Sequence, residues 1–257
     1  MRIATWNVNG LRARLEFFVG WLRDRQPDVV ALQELKLEEA AFPRAELADL
    51  GYEAAVHGQK SWNGVAVLGR SELRNVAPGL AGQEDMGARL VSADLNELRV
   101  TSVYCPNGKT LEHPDYARKL TWFDALADHL ERSTGDLPTI VGGDFNVCPQ
   151  AIDSWNEAQL AGQIFHSEPE RRRFQRLLDL GFVDVFRKLH PDRQEYSWWD
   201  YRGGAFHRKQ GLRIDFLLAN ASAAARVRDA FIDRDYRKKR DGLTPSDHAP
   251  VVVDLDD

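Results

Sequence analysis

The fold is indicated by the start of the chain, residues 1–34, which read MRIATWNVNGLRARLEFFVGWLRDRQPDVVALQE. Residues 2–6 are typical of a β-strand. A helix is predicted over about 13–25, because apolar side chains recur there at i, i+3, i+4 and i+7 from Leu15. A proline ends that helix, and the apolar run 29–33 predicts a second strand. Strand, helix and strand in this order are typical of a sheet on which helices pack.

The rest of the chain continues this alternation. Helical patterns return at residues 120–130 and 174–178, and Gly181 stops the second. Further strands are predicted at residues 52–56, 64–68, 90–95, 98–104, 138–142, 195–199, 212–219 and 249–255. These elements predict an α/β (α+β) fold, a four-layer sandwich of two packed mixed β-sheets flanked by helices, with the active site at one edge. Because no linker or repeat divides them, we expect residues 1–257 to form a single domain.

Composition limits the possible partners. The 34 Lys and Arg residues stand against 39 Asp and Glu residues, a net charge of −5, so the whole protein does not attract a polyanion. A local basic rim or a bound divalent cation would still permit nucleic-acid binding. Cys105 and Cys148 form no paired framework, and the sequence has neither a signal-like start nor an apolar run of membrane length. We therefore expect a cytoplasmic protein with no membrane partner.

Four carboxylates stand at the ends of apolar runs, where a charge is costly. They are Glu34, Asp144, Asp215 and Asp247. A carboxylate in such a place needs a cation or a hydrogen-bonded imidazole as its partner. The set predicts an acidic hydrolytic site that can take a metal ion.

A hard cation is the favoured metal. Mg²⁺ prefers one or two carboxylates and keeps several waters, and Glu34 and Asp247 with the amides of Asn7 and Asn9 suit this preference. The sequence has no His-Glu-x-x-His run and its seven histidines are scattered, which argues against zinc. Glu34 taken alone is equally typical of a helix cap or of a loop salt bridge.

Two further pairs suggest catalytic chemistry. A buried Asp215 could fix the tautomer of His248 and leave its second nitrogen to contact a reacting oxygen, although a structural aspartate beside a core histidine is the alternative. In an extended segment the side chains of Asp144 and Asn146 would point the same way. One could then activate a water while the other donates to a substrate oxygen. An Asx turn that closes the strand is the alternative for this pair.

Six segments of the chain carry a joint signature. In order they are Trp6-Asn7-Val8-Asn9-Gly10-Leu11-Arg12, Leu32-Gln33-Glu34-Leu35-Lys36, Tyr104-Cys105-Pro106-Asn107-Gly108, Gly143-Asp144-Phe145-Asn146, Arg213-Ile214-Asp215 and Ser246-Asp247-His248-Ala249-Pro250. Together they resemble the exonuclease III family of apurinic/apyrimidinic (AP) endonucleases, within the wider endonuclease/exonuclease/phosphatase fold. The resemblance covers essentially the whole chain.

The resemblance implies catalytic roles for five residues. Asp144 resembles the residue that activates the attacking water, and Asn146 the residue that orients that water or the phosphate. His248, held by Asp215, is similar to the phosphate-contacting imidazole of the family. Tyr104 is similar to its phosphate-side phenol. The implied enzyme is an exodeoxyribonuclease III-type hydrolase that cleaves phosphodiesters in line and leaves a 3′-hydroxyl end.

The same resemblance implies a metal site. Glu34 resembles the principal metal ligand, and Asp247 and Asn7 lie close to the same ion. The implied cofactor is Mg²⁺, with Mn²⁺ as a possible substitute.

It also implies a set of substrate contacts. Asn107 and Lys36 match positions that support the phosphate site. Trp198 resembles the aromatic residue that lines the pocket for an extruded sugar, and Arg202 beside it could contact DNA or simply be solvated. The implied partner is double-stranded DNA with abasic sites or with blocked or recessed 3′ ends. We expect a monomer that reaches the nucleoid through DNA.

Three positions depart from the family pattern. Asn9 stands where some relatives carry aspartate, and Leu212 stands where others place an aromatic residue. His166 either narrows the substrate pocket or is exposed. These differences leave open how the enzyme ranks AP-site incision, 3′ to 5′ exonuclease action and 3′-phosphatase action. One alternative is an enzyme restricted to exonuclease and 3′-phosphatase action. A phospholipid or inositol-phosphate phosphodiesterase of the same fold and a non-catalytic nucleic-acid-binding module are the rival interpretations.

Overall fold

Two six-stranded mixed sheets pack face to face in the computed structural model, which describes residues 1–133, 135 and 137–256. The strands are β1 (Arg2–Asn7), β2 (Val29–Gln33), β3 (Glu53–His57), β4 (Val65–Gly69), β5 (Leu73–Pro78), β6 (Leu90–Leu95), β7 (Leu98–Tyr104), β8 (Thr139–Asp144), β9 (Val183–Asp184), β10 (Asp215–Ala219), β11 (Val227–Ile232) and β12 (Val251–Leu255). The first sheet has the order β11-β12-β1-β2-β4-β3 and the second β5-β6-β7-β8-β10-β9.

Helices pack around the two sheets. They are α1 (Leu11–Arg25), α2 (Arg44–Ala48), α3 (Pro114–Ser133), α4 (Glu157–Leu160), α5 (Glu168–Asp179), α6 (Val185–Leu189) and α7 (Ala221–Ala224). Helix α1 buries Phe18 and Trp21 in the core of the first sheet, where both rings contact Trp6 of β1. Helices α3 and α5 bury Phe123 and Phe174 against the second sheet. The predicted four-layer sandwich is therefore confirmed.

The two sheets are joined by polar as well as apolar contacts. Apolar side chains from both inner faces form one core cluster. Within it, Gln33 Nε2 donates to Thr5 Oγ1 at 3.1 Å and to Ser102 Oγ at 3.0 Å, and Ser102 Oγ donates to the carbonyl of Leu32 at 2.8 Å. Because buried polar groups need partners, these bonds fix the register of one sheet on the other.

Strands β7 and β8 approach each other closely near the edge of the second sheet where their carboxyl ends lie. A Cβ at position 143 would lie 2.0 Å from the carbonyl oxygen of Val103, so only glycine is tolerated there. The strands are parallel, and Tyr104 and Asp144 are register partners at their carboxyl ends. The same register pairs Asp215, at the start of β10, with Asp144.

Most sequence-predicted elements are confirmed with small shifts at their ends. Two strand predictions are wrong in part. Residues 195–199 form no strand, and Trp198 instead makes isolated bridges with Leu212 and His248. Residues 212–214 precede β10, because the amides of Ile214 and Asp215 donate to the hydroxyl of Ser197. Strands β5, β9 and β11 were not predicted.

Among residues 1–133, 135 and 137–256, none of the helices combines the length and the apolar character needed to cross a bilayer.

Candidate active site

The predicted site residues meet because of strand direction. Asn7 ends β1 and Glu34 directly follows β2, and these strands are parallel neighbours. Asp144 ends β8, and Asp215 opens β10, its antiparallel neighbour. The two sheets present these ends at the same edge of the sandwich, so four polar side chains from distant segments converge there.

The convergence is tight. Glu34, Asp144 and His248 each offer one possible ligand atom, and these atoms all lie within 4.8 Å of one another. Asn7 bridges the acids, because its Nδ2 donates to Glu34 Oε1 at 2.8 Å and to Asp144 Oδ2 at 3.0 Å. This edge can therefore hold a small ion and a phosphate group together.

His248 is held as sequence analysis predicted. Its Nδ1 lies 2.9 Å from Asp215 Oδ2, and its Nε2 lies 3.8 Å from Asp144 Oδ2. Burial opposes protonation of the imidazole, but the charge of Asp215, its hydrogen bond and the charges of Asp144 and Asp247 outweigh burial and raise the His248 pKa to about 10. The side chain is therefore an imidazolium at neutral pH, suited to contact an anion.

The segment that carries His248 is fixed by main-chain contacts. The Ser246 hydroxyl donates to the carbonyl of Asn7 at 2.7 Å and accepts from the amide of His248 at 3.2 Å. Trp6 Nε1 donates to the carbonyl of His248 at 3.0 Å. These bonds tie the segment to β1 and leave the imidazole free to face the acids.

Asp144 is a buried carboxylate whose pKa is raised to about 7. Burial is the main cause, and the neighbouring charge of Asp215 adds to it, while His248 acts in the opposite direction. A carboxylate with this pKa is a stronger base than an exposed one. It can therefore accept a proton from water at neutral pH.

The arrangement of Asn146 differs from that of an extended segment. Asp144 Oδ1 accepts from the amide of Asn146 at 2.9 Å, and Asn146 has a φ of 50°, so the segment turns instead of continuing extended. Of the two interpretations that the sequence left open for this pair, the extended one is therefore wrong, and the bond is that of the alternative, an Asx turn that closes the strand. Asn146 Nδ2 donates to the carbonyl of Cys105 at 3.0 Å, and Asn107 Nδ2 donates to Asn146 Oδ1 at 3.4 Å. The turn links the loops that follow β7 and β8.

A chain of polar contacts surrounds Glu34. Lys36 Nζ lies 2.8 Å from Glu34 Oε2 and 2.5 Å from Asn9 Oδ1, and Asn9 Nδ2 donates to Asp247 Oδ1 at 2.9 Å. Burial would raise the Glu34 pKa, but the charge of Lys36 and the bonds from Asn7 and Lys36 hold it below its ordinary value. Glu34 is therefore an anion that is ready to bind a cation.

Asp247 is likewise kept ionised. Its Oδ2 accepts from Trp198 Nε1 at 3.0 Å. Burial would raise its pKa, but the charge of His248 and the bonds from Trp198 and Asn9 lower it. Asp247 is not one of the three residues in the tightest cluster, and it is connected to Glu34 through Asn9 and Lys36.

Tyr104 completes the second-sheet side of the site. Burial and the charges of Glu34 and Asp144 raise its pKa well above the ordinary value, and its hydroxyl hydrogen-bonds to Glu34. Arg89 lies with its guanidinium carbon 4.8 Å from the centre of the tyrosine ring and donates to the carbonyl of Tyr104 at 3.1 Å. The phenol is therefore a neutral donor at physiological pH. Arg89 lies in no sequence motif and was not predicted as a site residue.

Two sequence-predicted residues lie away from the acidic cluster. The side chain of Arg202 is 90% exposed and pairs with Asp200 at 2.7 Å. His166 is buried, and its Nε2 lies 3.0 Å from Ser154 Oγ. Of the two alternatives for His166, exposure is therefore wrong, because the loop before α5 folds the side chain inward. Trp198 is half-buried and its neighbour Trp199 is fully buried in the core.

Further residues support the site without a motif that marks them. Arg237 is buried and donates to the carbonyls of Asp247 and Trp199, each at 3.1 Å. Arg237 belongs to the basic run 237–240, a pattern that is typical of a solvent-exposed surface. Lys119 donates to the carbonyls of Asn107 and Asn146 from the buried side of α3. The sequence signal for the burial of Lys119 is its spacing: Trp122 and Phe123 follow at i+3 and i+4, on the apolar face of the helix.

The donors at this edge suit a hard divalent cation. They are carboxylate and amide oxygens with neither a thiolate nor a free neutral imidazole, since His248 is protonated. The three acidic side chains of Glu34, Asp144 and Asp247 also leave an excess of negative charge that a cation would balance. Such an edge, built on a two-sheet sandwich, is a candidate metal site of the kind that hydrolases of phosphate esters use.

Comparison with known proteins gives the family. The sequence profile of the Endonuclease/Exonuclease/phosphatase family matches residues 4–248, and the chain belongs to that family. It is a nuclease hydrolase that acts on phosphodiester bonds, which confirms the enzyme class that the sequence predicted.

Individual relatives agree with this assignment. Exodeoxyribonuclease III of Haemophilus influenzae is 35% identical over 269 residues, which cover 99% of this chain and 100% of the relative. A 3′ phosphatase from Neisseria, bound to a product DNA hairpin, is similar in structure with a TM-score of 0.96 at 40% identity, covering 100% of this chain and 99% of that one. An AP endonuclease from Archaeoglobus fulgidus gives a TM-score of 0.95 at 35% identity, with 100% and 99% covered.

The Asp215–His248 pair gives a prediction for metal-free protein. Asp215→Asn is expected to lower the His248 pKa from about 10 by at least about 1 unit, because the closest opposite charge is lost. The folded pKa lies above the ordinary 6.5, so protonation stabilises the fold fully below pH 6.5, and this stabilisation disappears as the pH rises through 10. NMR titration of the His248 C2 proton measures the shift. An unchanged pKa would show that Asp215 does not control this imidazole.

Proposed function

We propose that this protein is a Mg²⁺-dependent DNA-repair phosphodiesterase, with Mn²⁺ as a possible substitute. On double-stranded DNA it acts as an AP endonuclease, a 3′ to 5′ exonuclease and a 3′-phosphatase, and it leaves 3′-hydroxyl ends. We propose that residues 1–257 work as a single domain and as a monomer. The observation that carries the proposal is the approach of Glu34, Asp144 and His248 to within 4.8 Å of one another. The names of the relatives, which include an exodeoxyribonuclease III, a 3′ phosphatase and an AP endonuclease, support the choice of DNA.

Glu34, Asp247 and Asn7 would hold the ion. When bound, Mg²⁺ neutralises negative charge that grows on the phosphoryl oxygens and on the leaving oxygen. Lys36 keeps Glu34 ionised, and Asn9 and Trp198 orient Asp247. Asn7 Nδ2 donates to Glu34 Oε1, and its Oδ1 accepts from the amide of Asn9 at 3.0 Å, so a cation would take the second lone pair of Oδ1.

Asp144 accepts the proton of the attacking water. Its burial raises the pKa to about 7, which matches the pH at which the proton must be taken. The amide of Asn146 and Nδ2 of Asn7 bond to its two oxygens and so fix the carboxylate plane. Asn146 thereby orients the base and, through the base, the water.

His248 and Tyr104 stabilise the phosphate. The imidazolium of His248 donates from Nε2 toward the space beside Asp144, and the phenol of Tyr104 faces the same space from β7. Donors that are held in place before the reaction lower its barrier without reorganisation. Asp215 preserves the charge and the orientation of His248.

Substrate contacts extend from this centre. Asn107 and Lys36 border the phosphate position, and half-buried Trp198 stands beside Asp247, where it can line a pocket for an extruded sugar. The exposed guanidinium of Arg202 can reach DNA beyond the cleaved bond.

Three labelled duplexes test the proposal. They carry an internal abasic analogue, a recessed 3′-hydroxyl end or a 3′-phosphate, and each is incubated with Mg²⁺. We expect cleavage or phosphate release on all three, and activity on the last two alone would restrict the enzyme to 3′ ends. Hydrolysis of phospholipid or inositol phosphate without any action on DNA would contradict the proposal, and so would metal-independent DNA binding without cleavage.

Replacement of the main metal ligand gives a second test. Glu34→Gln is expected to raise the Mg²⁺ concentration for half-maximal activity by more than about 10-fold, because even residues behind a metal ligand contribute about 10- to 100-fold in affinity. Calorimetric titration of metal-free protein with Mn²⁺ should show the same weakening. Glu38→Gln is the matched control, because Glu38 is exposed on the same loop. Equal Mn²⁺ affinity of Glu34→Gln and wild type would remove Glu34 from the metal site.

A further inference from the structure

Lys119 is a fully buried lysine behind the site. It lies on α3, and its Nζ donates to the carbonyl of Asn146 at 2.7 Å and to the carbonyl of Asn107 at 3.2 Å. The same Nζ forms an ion pair with Glu170 of α5, which is also fully buried. The three hydrogens of the Lys119 ammonium group therefore all have acceptors: two loop carbonyls and the carboxylate of Glu170.

Glu170 is held independently of Lys119. Its Oε2 accepts from the amide of Ser167 at 3.1 Å and from the Ser167 hydroxyl at 2.6 Å, and the same hydroxyl accepts from the amide of Glu170. This is a capping box at the start of α5. Oε1 also accepts from the amide of Phe165 at 3.2 Å. Glu170 is thus a fixed anchor, and Lys119 is positioned by it.

The two carbonyls belong to loops that form the site. Asn107 follows β7 and Asn146 follows β8, and Asn107 Nδ2 donates to Asn146 Oδ1. The left-handed φ of 50° at Asn146 brings its amide onto Asp144 Oδ1. A Cβ at Gly108 would lie 3.0 Å from Cδ of Lys119, so the first loop packs directly on the lysine stem. A shift of the Asn146 peptide would therefore move Asp144.

We infer that Lys119, anchored by Glu170, is a positioning residue that sets the Asn107 and Asn146 loops for the reaction at Asp144. The inference rests on the proposed function. A buried ion pair is costly to desolvate, and an apolar pair of similar volume is often as stable, so stability alone gives little reason to place these charges here. The contacts of Lys119 with two loops of the active site do give a reason for this ion pair.

The experiment separates positioning from stability. Lys119→Met alone leaves a buried carboxylate unpaired and is expected to lower Tm by about 10 °C. Lys119→Met combined with Glu170→Gln removes both charges and keeps a side chain that supports the capping box, so Tm should recover most of that loss. The kcat of the double variant should nevertheless stay about 100-fold below wild type, because a misplaced reacting group costs about that factor. Recovery of kcat together with Tm would overturn the inference.

A second ion pair supplies the matched control. Arg99 pairs with Asp94 at 2.7 Å and donates to the carbonyl of Ser133 at 3.1 Å, at the start of β7, which is the end opposite Tyr104. Like Lys119, Arg99 joins a carboxylate to a main-chain carbonyl. Arg99→Met combined with Asp94→Asn is expected to change Tm while kcat stays within about twofold of wild type.

Hydrogen exchange gives a readout that does not depend on activity. In the double variant of Lys119 and Glu170, the amides of Cys105, of residues 107–109 and of residues 145–148 should exchange faster than in wild type, while the strands β7 and β8 keep their protection. Unchanged exchange in both loops would overturn the inference even if no substrate were cleaved. Inactivity of the wild type on all three duplexes would instead contradict the proposed function.

Discussion

Asp144→Asn is expected to lower kcat by about 10³- to 10⁴-fold while the protein stays folded. Asparagine keeps the shape of the side chain and one oxygen for the amide of Asn146, but it cannot take a proton from water. General bases contribute about 10²- to 10⁴-fold to a rate, and the raised pKa of Asp144 places this carboxylate at the upper end.

The stability of this variant should differ from that of an ordinary core substitution. Burial and the charge of Asp215 both oppose ionisation of Asp144, so the neutral amide relieves a repulsion that the wild type tolerates. The variant also loses the bond that Asp144 Oδ2 accepts from Asn7 Nδ2, because an amide nitrogen cannot accept. These two effects oppose each other, so we expect Tm to change little. Steady-state rates on the 3′-phosphate duplex and thermal unfolding of the same preparation measure the two effects.

Asp192→Asn is the control for this experiment, since Asp192 is exposed on the loop after α6. The kcat and the Tm of Asp192→Asn should both match those of wild type. A kcat of Asp144→Asn within threefold of wild type would exclude Asp144 as the base, and a large fall in Tm would mean that its role is structural.

The sequence was sufficient to place the acidic residues at one edge. Asn7, Glu34 and Asp144 each end or directly follow an apolar strand, and the carboxyl ends of parallel strands meet. Asp215 and His248 needed a longer inference, because they come from an antiparallel strand and from a loop. The family resemblance supplied that step, and the 2.9 Å contact between them agrees with it.

Local geometry was predicted less well than location. For Asn146 the sequence left an extended segment and an Asx turn open; its φ of 50° gives the turn, and its side chain bonds to the loop after β7. A single asparagine in the left-handed region is a low-energy choice that no periodicity reveals. Strands β5, β9 and β11 were missed; all three lie at sheet edges, β5 exposes most of its residues, and β9 is only two residues long.

Supporting residues were the hardest to find. Arg237 stands in a run of basic residues, and only its burial beneath Asp247 distinguishes it from a solvated cation. Lys119 is separated by 51 residues from its partner Glu170, so no local pattern joins them. Residues that act through main-chain carbonyls have no preferred motif, because every residue offers the same carbonyl.

His248→Ala is expected to lower kcat by about 10³-fold or more on every substrate. Two effects add. The variant loses the cationic donor at the phosphate position, and a preorganised donor of this kind contributes about 10²- to 10³-fold. It also removes the charge that holds down the pKa of Asp144, so a larger fraction of the base is protonated at neutral pH. The pH at which the rate is half-maximal should therefore rise in the variant.

The single variant His248→Ala should be less stable than wild type, because the buried carboxylate of Asp215 then has no imidazolium partner. A loss of about 10 °C in Tm is expected for such an unpaired ion. His248→Ala combined with Asp215→Ala removes both groups and should regain most of that stability, yet its kcat should remain as low as that of the single variant. His190→Ala, remote from the acids and bonded to the carbonyl of Ala230, controls for loss of an imidazole as such. If the double variant regained activity together with Tm, the pair would be a structural brace, and the positive charge beside Asp144 would have no part in the reaction.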